Sequence, residues 1–113
     1  MSISTHILDT AIGRPAANVP VALARAGEEN RWAILARTIT DADGRCRPLL
    51  PDTMPMTPGM YAIRFDTEAY YAAQGIKGLY PYVEITFVVE AGQVHYHIPL
   101  LLTANGYTTY RGS

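Results

Sequence analysis

Residues 95–113, HYHIPLLLTANGYTTYRGS, decide the fold, because they predict two antiparallel strands around a tight turn at Asn105-Gly106. The last residues of most domains are poorly ordered. Here, however, β-branched and aromatic residues continue up to Tyr110. We therefore expect this segment to be docked as an integral hairpin of a sheet.

The rest of the chain also predicts short strands. Residues 3–9 alternate, which places Ile3, Thr5 and Ile7 on one face and Ser4, His6 and Leu8 on the other. Further strands are expected at 19–26, 31–40, 61–65 and 83–89. Asp66 or Thr67 should cap a helix over 68–74, and the proline-rich segment 48–58 should cross the surface without a strand or helix. Short strands at near-regular spacing favour an all-β fold, an antiparallel sandwich.

The composition is that of a single globular domain over residues 1–113. The 113 residues are 49% hydrophobic and 17% charged, which is enough apolar sequence to bury one core. The net charge of −1 favours neither a nucleic-acid nor a membrane partner. No run approaches the ~20 apolar residues of a membrane span, and the first residues lack a secretory pattern. A single cysteine and the absence of zinc-ligand spacing predict no disulfide within the chain, no metal site and a cytoplasmic location.

Histidines on predicted strands are the first candidates for chemistry. His95 and His97 project from one face of their strand, whereas Tyr96, Ile98 and Leu100 project from the natural core face. An imidazole titrates near neutral pH and can act as a general base. The alternative is that both are solvated or hydrogen-bonded strand histidines with no catalytic role.

Arg45 and Cys46 follow a turn at residues 41–44. The turn fixes where the Arg45 guanidinium leaves the sheet, and its planar fork suits the oxygens of a urea-like or imide group. The alternative is a solvated turn arginine. The neighbouring arginines, including Arg47, would lower the pKa of the Cys46 thiol if it were exposed, which suggests a nucleophile, but a thiol just past a turn more often packs in the core. Ser4 and Ser113 have no adjacent base in the sequence to make either one a nucleophile.

Three separated motifs resemble those of the 5-hydroxyisourate hydrolases, the transthyretin-related enzymes of urate breakdown. They are STHILDT at 4–10 with Gly13 and Pro15-Ala16, then Asp43-Gly44-Arg45, and then residues 95–113, which end in Tyr110-Arg111-Gly112-Ser113. They occur in the family's order and span nearly the whole chain. Thr103-Ala104-Asn105 replaces the serine-proline turn common in the family, and Arg47 adds a second cation. Both departures bear only on the local shape of turns.

The resemblance implies the architecture of transthyretin, two four-stranded sheets with one short helix, assembled as a homotetramer. This assembly is a dimer of dimers whose central channel holds the sites. The resemblance also implies that His6, Arg45 and His97 are catalytic and that His95 is a neighbour. The implied substrate pocket contains those three residues with Tyr110, Arg111, Gly112 and Ser113. On its own, that terminal tetrapeptide could equally be a polar chain end.

The resemblance further implies a reaction, the hydrolysis of 5-hydroxyisourate to 2-oxo-4-hydroxy-4-carboxy-5-ureidoimidazoline without a cofactor. His6 and His97 would activate a water, and Arg45 would stabilise negative charge on the substrate; which imidazole accepts the proton is left open. Transthyretin carries small hydrophobic ligands on the same scaffold, so a carrier is the alternative, and a structural or partner-binding sandwich is a third possibility. A carrier needs an apolar channel, whereas two imidazoles, a guanidinium and a tyrosine converging on one wall suit a hydrolase.

Overall fold

The protein is a sandwich of two β-sheets. The computed structural model describes residues 2–46, 48–51 and 53–113. The first sheet contains β1 (Ser2–Asp9), β2 (Arg14–Pro15), β5 (Arg45–Cys46), β8 (His95–Thr103) and β9 (Gly106–Thr109). The second sheet contains β3 (Pro20–Ala26), β4 (Trp32–Ile39), β6 (Gly59–Phe65) and β7 (Val83–Val89), in the order β4-β3-β6-β7.

Two very short strands share one edge of the first sheet. β2 and β5 both pair with β1, at Leu8↔Pro15 and His6↔Arg45, so this sheet is also four strands wide. The prediction of two four-stranded sheets is therefore confirmed. The sequence did not predict that β1 and β8 run parallel, whereas the other strand pairs between described residues are antiparallel.

The core lies between the inward faces of the two sheets. Ile3 and Ile7 of β1 and Leu100 of β8 are fully buried, as the alternation predicts. They face the second sheet, whose buried side chains include Leu23, Tyr61, Ile63, Phe65 and Val83. Burying an aliphatic or aromatic side chain contributes about 1.5–3 kcal/mol. Because side chains alternate along a strand, Ser4, His6 and His97 emerge on the outer face of the first sheet.

The described residues contain one α-helix, α1 (Thr67–Ala72), which begins where the sequence predicts. The Asp66 side chain caps it by accepting a hydrogen bond of 3.1 Å from a backbone N–H of the first turn. The helix ends at Ala72, two residues earlier than predicted. The Tyr70 hydroxyl donates to the carboxylate of buried Asp9 over 2.7 Å, which ties the helix to β1. Among the residues that the structure describes, no helix is long and apolar enough to cross a membrane.

The proline-rich segment has no strand or helix within 48–51 and 53–58, as predicted. It is nevertheless more than a surface crossing, because the side chains of Leu49, Leu50 and Met56 are buried in the core. The backbone N–H of Leu49 donates to the carbonyl of Ile3 over 2.8 Å. The segment therefore closes the core next to β1.

The turn of the last hairpin lies one residue earlier than predicted. Ala104 and Asn105 form the two-residue loop, and Gly106 already pairs with Thr103. The Thr103 hydroxyl accepts from the Asn105 N–H over 3.3 Å and donates to the Gly106 carbonyl over 3.1 Å. These side-chain hydrogen bonds satisfy the turn without a glycine in a left-handed conformation.

Candidate active site

The parallel pairing of β1 with β8 brings serines and histidines together on the outer face of the first sheet. Its register sets Ser2 beside His95 and Ser4 beside His97. In each pair the serine Oγ is hydrogen-bonded to imidazole Nδ1, at 2.5 Å for Ser2 and 2.8 Å for Ser4. The two imidazole rings are parallel to within 6°, with their centroids 6.4 Å apart.

Arg45 is held in place by the turn that precedes it. A carboxylate oxygen of Asp41 accepts hydrogen bonds from the backbone N–H groups of Asp43 and Arg45, at 2.9 and 3.0 Å. Gly44 has a φ of +74°, and a Cβ there would lie 2.4 Å from the carbonyl oxygen of Ile7, so the position requires glycine. The turn delivers Arg45 to β5, directly opposite His6.

Two adjacent cavities open on this face, and Arg45 borders both. The larger cavity has a volume of about 490 Å³ and is lined by Ser2, Ser4, Arg45, Pro48, His95, His97 and Ser113. The second has a volume of about 410 Å³ and is lined by His6, Leu8, Pro15, Asp43 and Arg45. Within one chain, the structure therefore brings Arg45 to both His6 and His97, while the two histidines lie in neighbouring cavities.

The electrostatics at His6 favour a neutral imidazole. Its pKa is lowered from the ordinary 6.5, first by burial and second by the positive charge of Arg45. A backbone hydrogen bond with Asp43 and the charges of Asp41 and Asp43 oppose this shift without cancelling it. His6 therefore has an unprotonated nitrogen available near neutral pH. In the described part of the chain, no three His, Cys, Asp or Glu side chains converge to hold a metal ion.

Gly112 is joined to His97, which lines the larger cavity. The backbone N–H of Gly112 donates to the carbonyl of His97 over 2.8 Å, which forms an antiparallel bridge on the side of β8 that also pairs with β9. Ser113 then lines the larger cavity beside Arg45 and His97.

Tyr110 and Arg111 lie elsewhere in the single chain. They line a cavity of about 230 Å³ that includes Phe87 and Val88 of β7. The Arg111 guanidinium lies 4.4 Å from the centroid of the Tyr96 ring and donates to the Gln93 side chain over 3.2 Å. The terminal residues are thus divided between two cavities.

Cys46 packs in the core, as the more ordinary of the two interpretations predicts. Its side chain is buried, and burial, followed by the negative charge of Asp41, raises the pKa of the thiol to about 11. The thiol is therefore protonated near neutral pH and is not an activated nucleophile. Arg47, the other neighbouring cation, lies outside the described residues.

Sequence reasoning missed the serine partners of the histidines and the contribution of Pro48. Ser4 was considered only as a nucleophile without a base in the sequence. Its partner, His97, lies 93 residues away on a parallel strand. The signal that was available was the shared two-residue spacing of Ser2 and Ser4 with His95 and His97, which becomes informative once β1 and β8 are known to pair.

Comparisons with known proteins identify relatives of this chain. A family model described as the HIUase/Transthyretin family matches residues 3–112. A probable 5-hydroxyisourate hydrolase of Schizosaccharomyces pombe is 45% identical, with coverage of 99% of this chain and 91% of the relative. The 5-hydroxyisourate hydrolase of Mus musculus is 42% identical, with coverage of 98% of this chain and 94% of the relative.

The solved structures similar to this chain include a 5-hydroxyisourate hydrolase and a transthyretin. The structure of Klebsiella pneumoniae 5-hydroxyisourate hydrolase matches with a TM-score of 0.86 and 36% identity, over 100% of both chains. Sea bream transthyretin in complex with thyroxine matches with a TM-score of 0.92 and 30% identity, over 99% of this chain and 95% of that one. From the family match over nearly its whole length and from these full-length relatives, the chain belongs to the HIUase/Transthyretin family.

Proposed function

We propose that this protein is an enzyme that hydrolyses 5-hydroxyisourate to 2-oxo-4-hydroxy-4-carboxy-5-ureidoimidazoline in urate breakdown. The observation that carries the proposal is the placement of Arg45, which lies on β5 opposite His6 of β1 and also lines the cavity that contains His97. Two imidazoles beside one guanidinium are the groups that a hydrolase needs to activate water and stabilise developing negative charge. The full-length relatives named as 5-hydroxyisourate hydrolases support the choice of substrate.

The proposed mechanism uses His6 and His97 to hold and deprotonate a water molecule. The oxygen of the water attacks a ring carbonyl of the substrate, and the negative charge that develops on the carbonyl oxygen lies against Arg45. The ring C–N bond then breaks, and the proton taken from water is returned to the leaving nitrogen. The lowered pKa of His6 supports this scheme, because a neutral imidazole can accept a hydrogen bond or a proton near neutral pH.

We further propose a homotetramer, a dimer of dimers whose central channel is lined by the outer faces of the first sheets. Two features of the chain support this assembly. β7 and β9 lie at the ends of their sheets, and they or the adjoining residues carry exposed apolar side chains, among them Val88 and Tyr110. In that assembly Tyr110, Arg111, Gly112 and Ser113 would shape and close the substrate pocket. The cytoplasmic location expected from the sequence stays a prediction.

A ligand carrier is the second candidate, because sea bream transthyretin, solved in complex with thyroxine, has the same fold with a TM-score of 0.92. Fold alone does not fix function. The larger cavity of this chain is lined by Pro48 together with hydroxyl, imidazole and guanidinium groups, and an apolar ligand would leave these polar groups without partners. The chemistry of the site therefore favours hydrolysis over carriage.

The test is to generate 5-hydroxyisourate in situ with urate oxidase and to follow its ultraviolet decay. We expect the protein to accelerate this decay in proportion to its concentration, and treatment with a chelator to leave the acceleration unchanged. Decay at the spontaneous rate, together with tight binding of a small apolar ligand, would favour the carrier. Loss of activity on chelation that zinc alone restores would overturn the metal-independent assignment.

A further inference from the structure

We propose that Ser4 is a positioning residue for His97, accepting a hydrogen bond from its Nδ1–H and so leaving Nε2 unprotonated toward the cavity. This role rests on the proposed hydrolysis and makes it more specific, because it identifies His97 as the imidazole that takes the proton of the water. The geometry that suggests it is the 2.8 Å separation between Ser4 Oγ and His97 Nδ1.

The Ser4 side chain is firmly placed. Ser4 is only 6% exposed, and its neighbours Ile3 and Thr5 are buried in the core. The Thr5 hydroxyl donates to the carbonyl of Ile98 over 2.6 Å, directly beside the Ser4–His97 pair. The parallel register of β1 with β8 continues from Ser2 to Asp9, so the serine cannot shift without disturbing the strand pairing. The hydroxyl is therefore a fixed partner of the imidazole.

The imidazole is confined from a second direction. Gly112 is bridged to His97 and lies against its ring near Cδ2, while Ser4 lies at Nδ1 on the other side. With the ring orientation restricted in this way, a hydrogen bond donated to Ser4 favours the tautomer of the neutral ring that carries its proton on Nδ1. A partner that binds the inner nitrogen of a catalytic or metal-binding imidazole commonly fixes its tautomer.

A serine at this position suits a general base. When the neutral ring carries its proton on Nδ1, that proton is donated to Ser4 Oγ and the lone pair that can accept a proton is on Nε2. When Nε2 takes a proton from water, the bond from Nδ1 to Ser4 becomes charge-assisted and stronger. The same hydroxyl thus serves the imidazole before and after the proton transfer.

Ser2 provides a matched control on the same strand. It makes the same kind of hydrogen bond to His95 Nδ1, but that pair is exposed to solvent, whereas the Ser4–His97 pair is partly buried. Water can replace a serine hydroxyl at an exposed imidazole more easily than at a partly buried one. Ser2→Ala therefore shows how the His97 tautomer responds when β1 loses a serine that is paired with His95 instead.

The experiment combines ¹⁵N NMR of the labelled imidazoles with steady-state kinetics for Ser4→Ala, Ser4→Thr and Ser2→Ala. We expect the unmodified protein to carry the neutral His97 proton on Nδ1 and Ser4→Ala to move it toward Nε2. We also expect kcat to fall about 10- to 100-fold with a much smaller change in KM, as for other lost orienting partners. Ser4→Thr, which restores a hydroxyl, should recover the tautomer and most of kcat, and Ser2→Ala should leave the His97 tautomer unchanged.

The outcomes separate this proposal from the function on which it rests. An Nε2-protonated His97 in the unmodified protein, or full kcat in a folded Ser4→Ala variant, would refute the role of Ser4. The NMR measurement needs no substrate and therefore tests the tautomer independently of activity. Absence of hydrolysis by the unmodified protein would instead refute the proposed function.

Discussion

Gly112 lies so close to the imidazole of His97 that a Cβ added to it would be 2.5 Å from Cδ2. Their backbones are also joined, because the Gly112 N–H donates to the His97 carbonyl over 2.8 Å. Glycine is required here for close approach, since a side chain would collide with the ring. The next-to-last residue of the chain is therefore part of the wall that orients a proposed catalytic group.

Gly112→Ala should lower turnover while leaving the sandwich folded. The added methyl must push the imidazole or the chain terminus aside, and a displacement of ~1 Å at a catalytic group can cost about 10²-fold in rate. Gly106→Ala is the control, because the nearest atom to a Cβ there is 3.6 Å away. The test compares the turnover numbers of the two variants, and their melting temperatures show whether both are folded. Equal activity in the two would show that the contact with His97 has no catalytic consequence.

His6→Asn and His97→Asn should each reduce turnover by about 10²-fold or more, as expected when a general base or its partner is lost. Melting temperatures should change little, because both side chains lie on the outer face of the first sheet, away from the core. His95→Asn removes a neighbouring imidazole and should cost much less. Two folded variants of His6 and His97 with near-full activity would contradict the proposed water-activating pair.

Arg45→Lys should lower kcat/KM by about 10-fold or more, because lysine keeps the positive charge but loses the planar fork, and hydrogen bonds to charged groups contribute about 1.5–3 kcal/mol. Arg14→Lys is a matched control on β2, the other short strand at this edge of the sheet. Wild-type kinetics for Arg45→Lys would reduce Arg45 to a solvated turn residue.

Arg45→Gln should raise the pKa of His6, because the guanidinium is the second cause, after burial, that holds this pKa below 6.5. An NMR titration of the His6 ring measures the change directly. In the unmodified protein the unfolded chain takes up the proton first as the pH falls through 6.5. The contribution of neutral His6 to stability is therefore present above pH 6.5 and is lost below it. In Arg45→Gln this loss should become smaller; an unchanged pKa would show that Arg45 and His6 do not interact.

Deletion of residues 110–113 should leave the core folded and abolish most catalysis. The apolar faces of the strands lie upstream, whereas the deletion removes the Gly112 bridge and opens the cavity to bulk water. Removal of Gly112 and Ser113 alone should cause much of the loss, because Gly112 is bridged to His97 and Ser113 lines the larger cavity. Melting temperature, oligomer size and turnover should be compared with those of forms tagged at either end. Full activity after truncation would show that the terminus is only a polar end.

Much of the fold could be predicted from local patterns. The alternation of Ile3, Thr5 and Ile7 identified β1, and Asp66 identified the start of the helix, because these signals depend on neighbouring residues. The pairing of β1 with β8, and the attachment of β5 to β1, depend on residues far apart in sequence. No local pattern could predict them.

The candidate site was predictable to the same extent. His6, Arg45 and His97 were found by their motifs, and the structure places them on one face of the first sheet, while their catalytic roles stay a prediction. The sequence did not indicate that Tyr110 and Arg111 line a different cavity from Ser113. These positions depend on contacts between residues that are not neighbours in the sequence, namely the bridge from Gly112 to His97 and the packing of Arg111 against Tyr96.

The parallel pairing of β1 with β8 also bears on how the protein folds. Ser4 and His97 meet although they are 93 positions apart in the sequence, and such non-local contacts form slowly because a long loop must close before they contribute. Recovery of enzymatic activity during refolding should therefore report the arrival of the most distant strand pair, while helix and hairpin signals report earlier, local events. A refolding chain could therefore regain most of its secondary structure before it regains enzymatic activity.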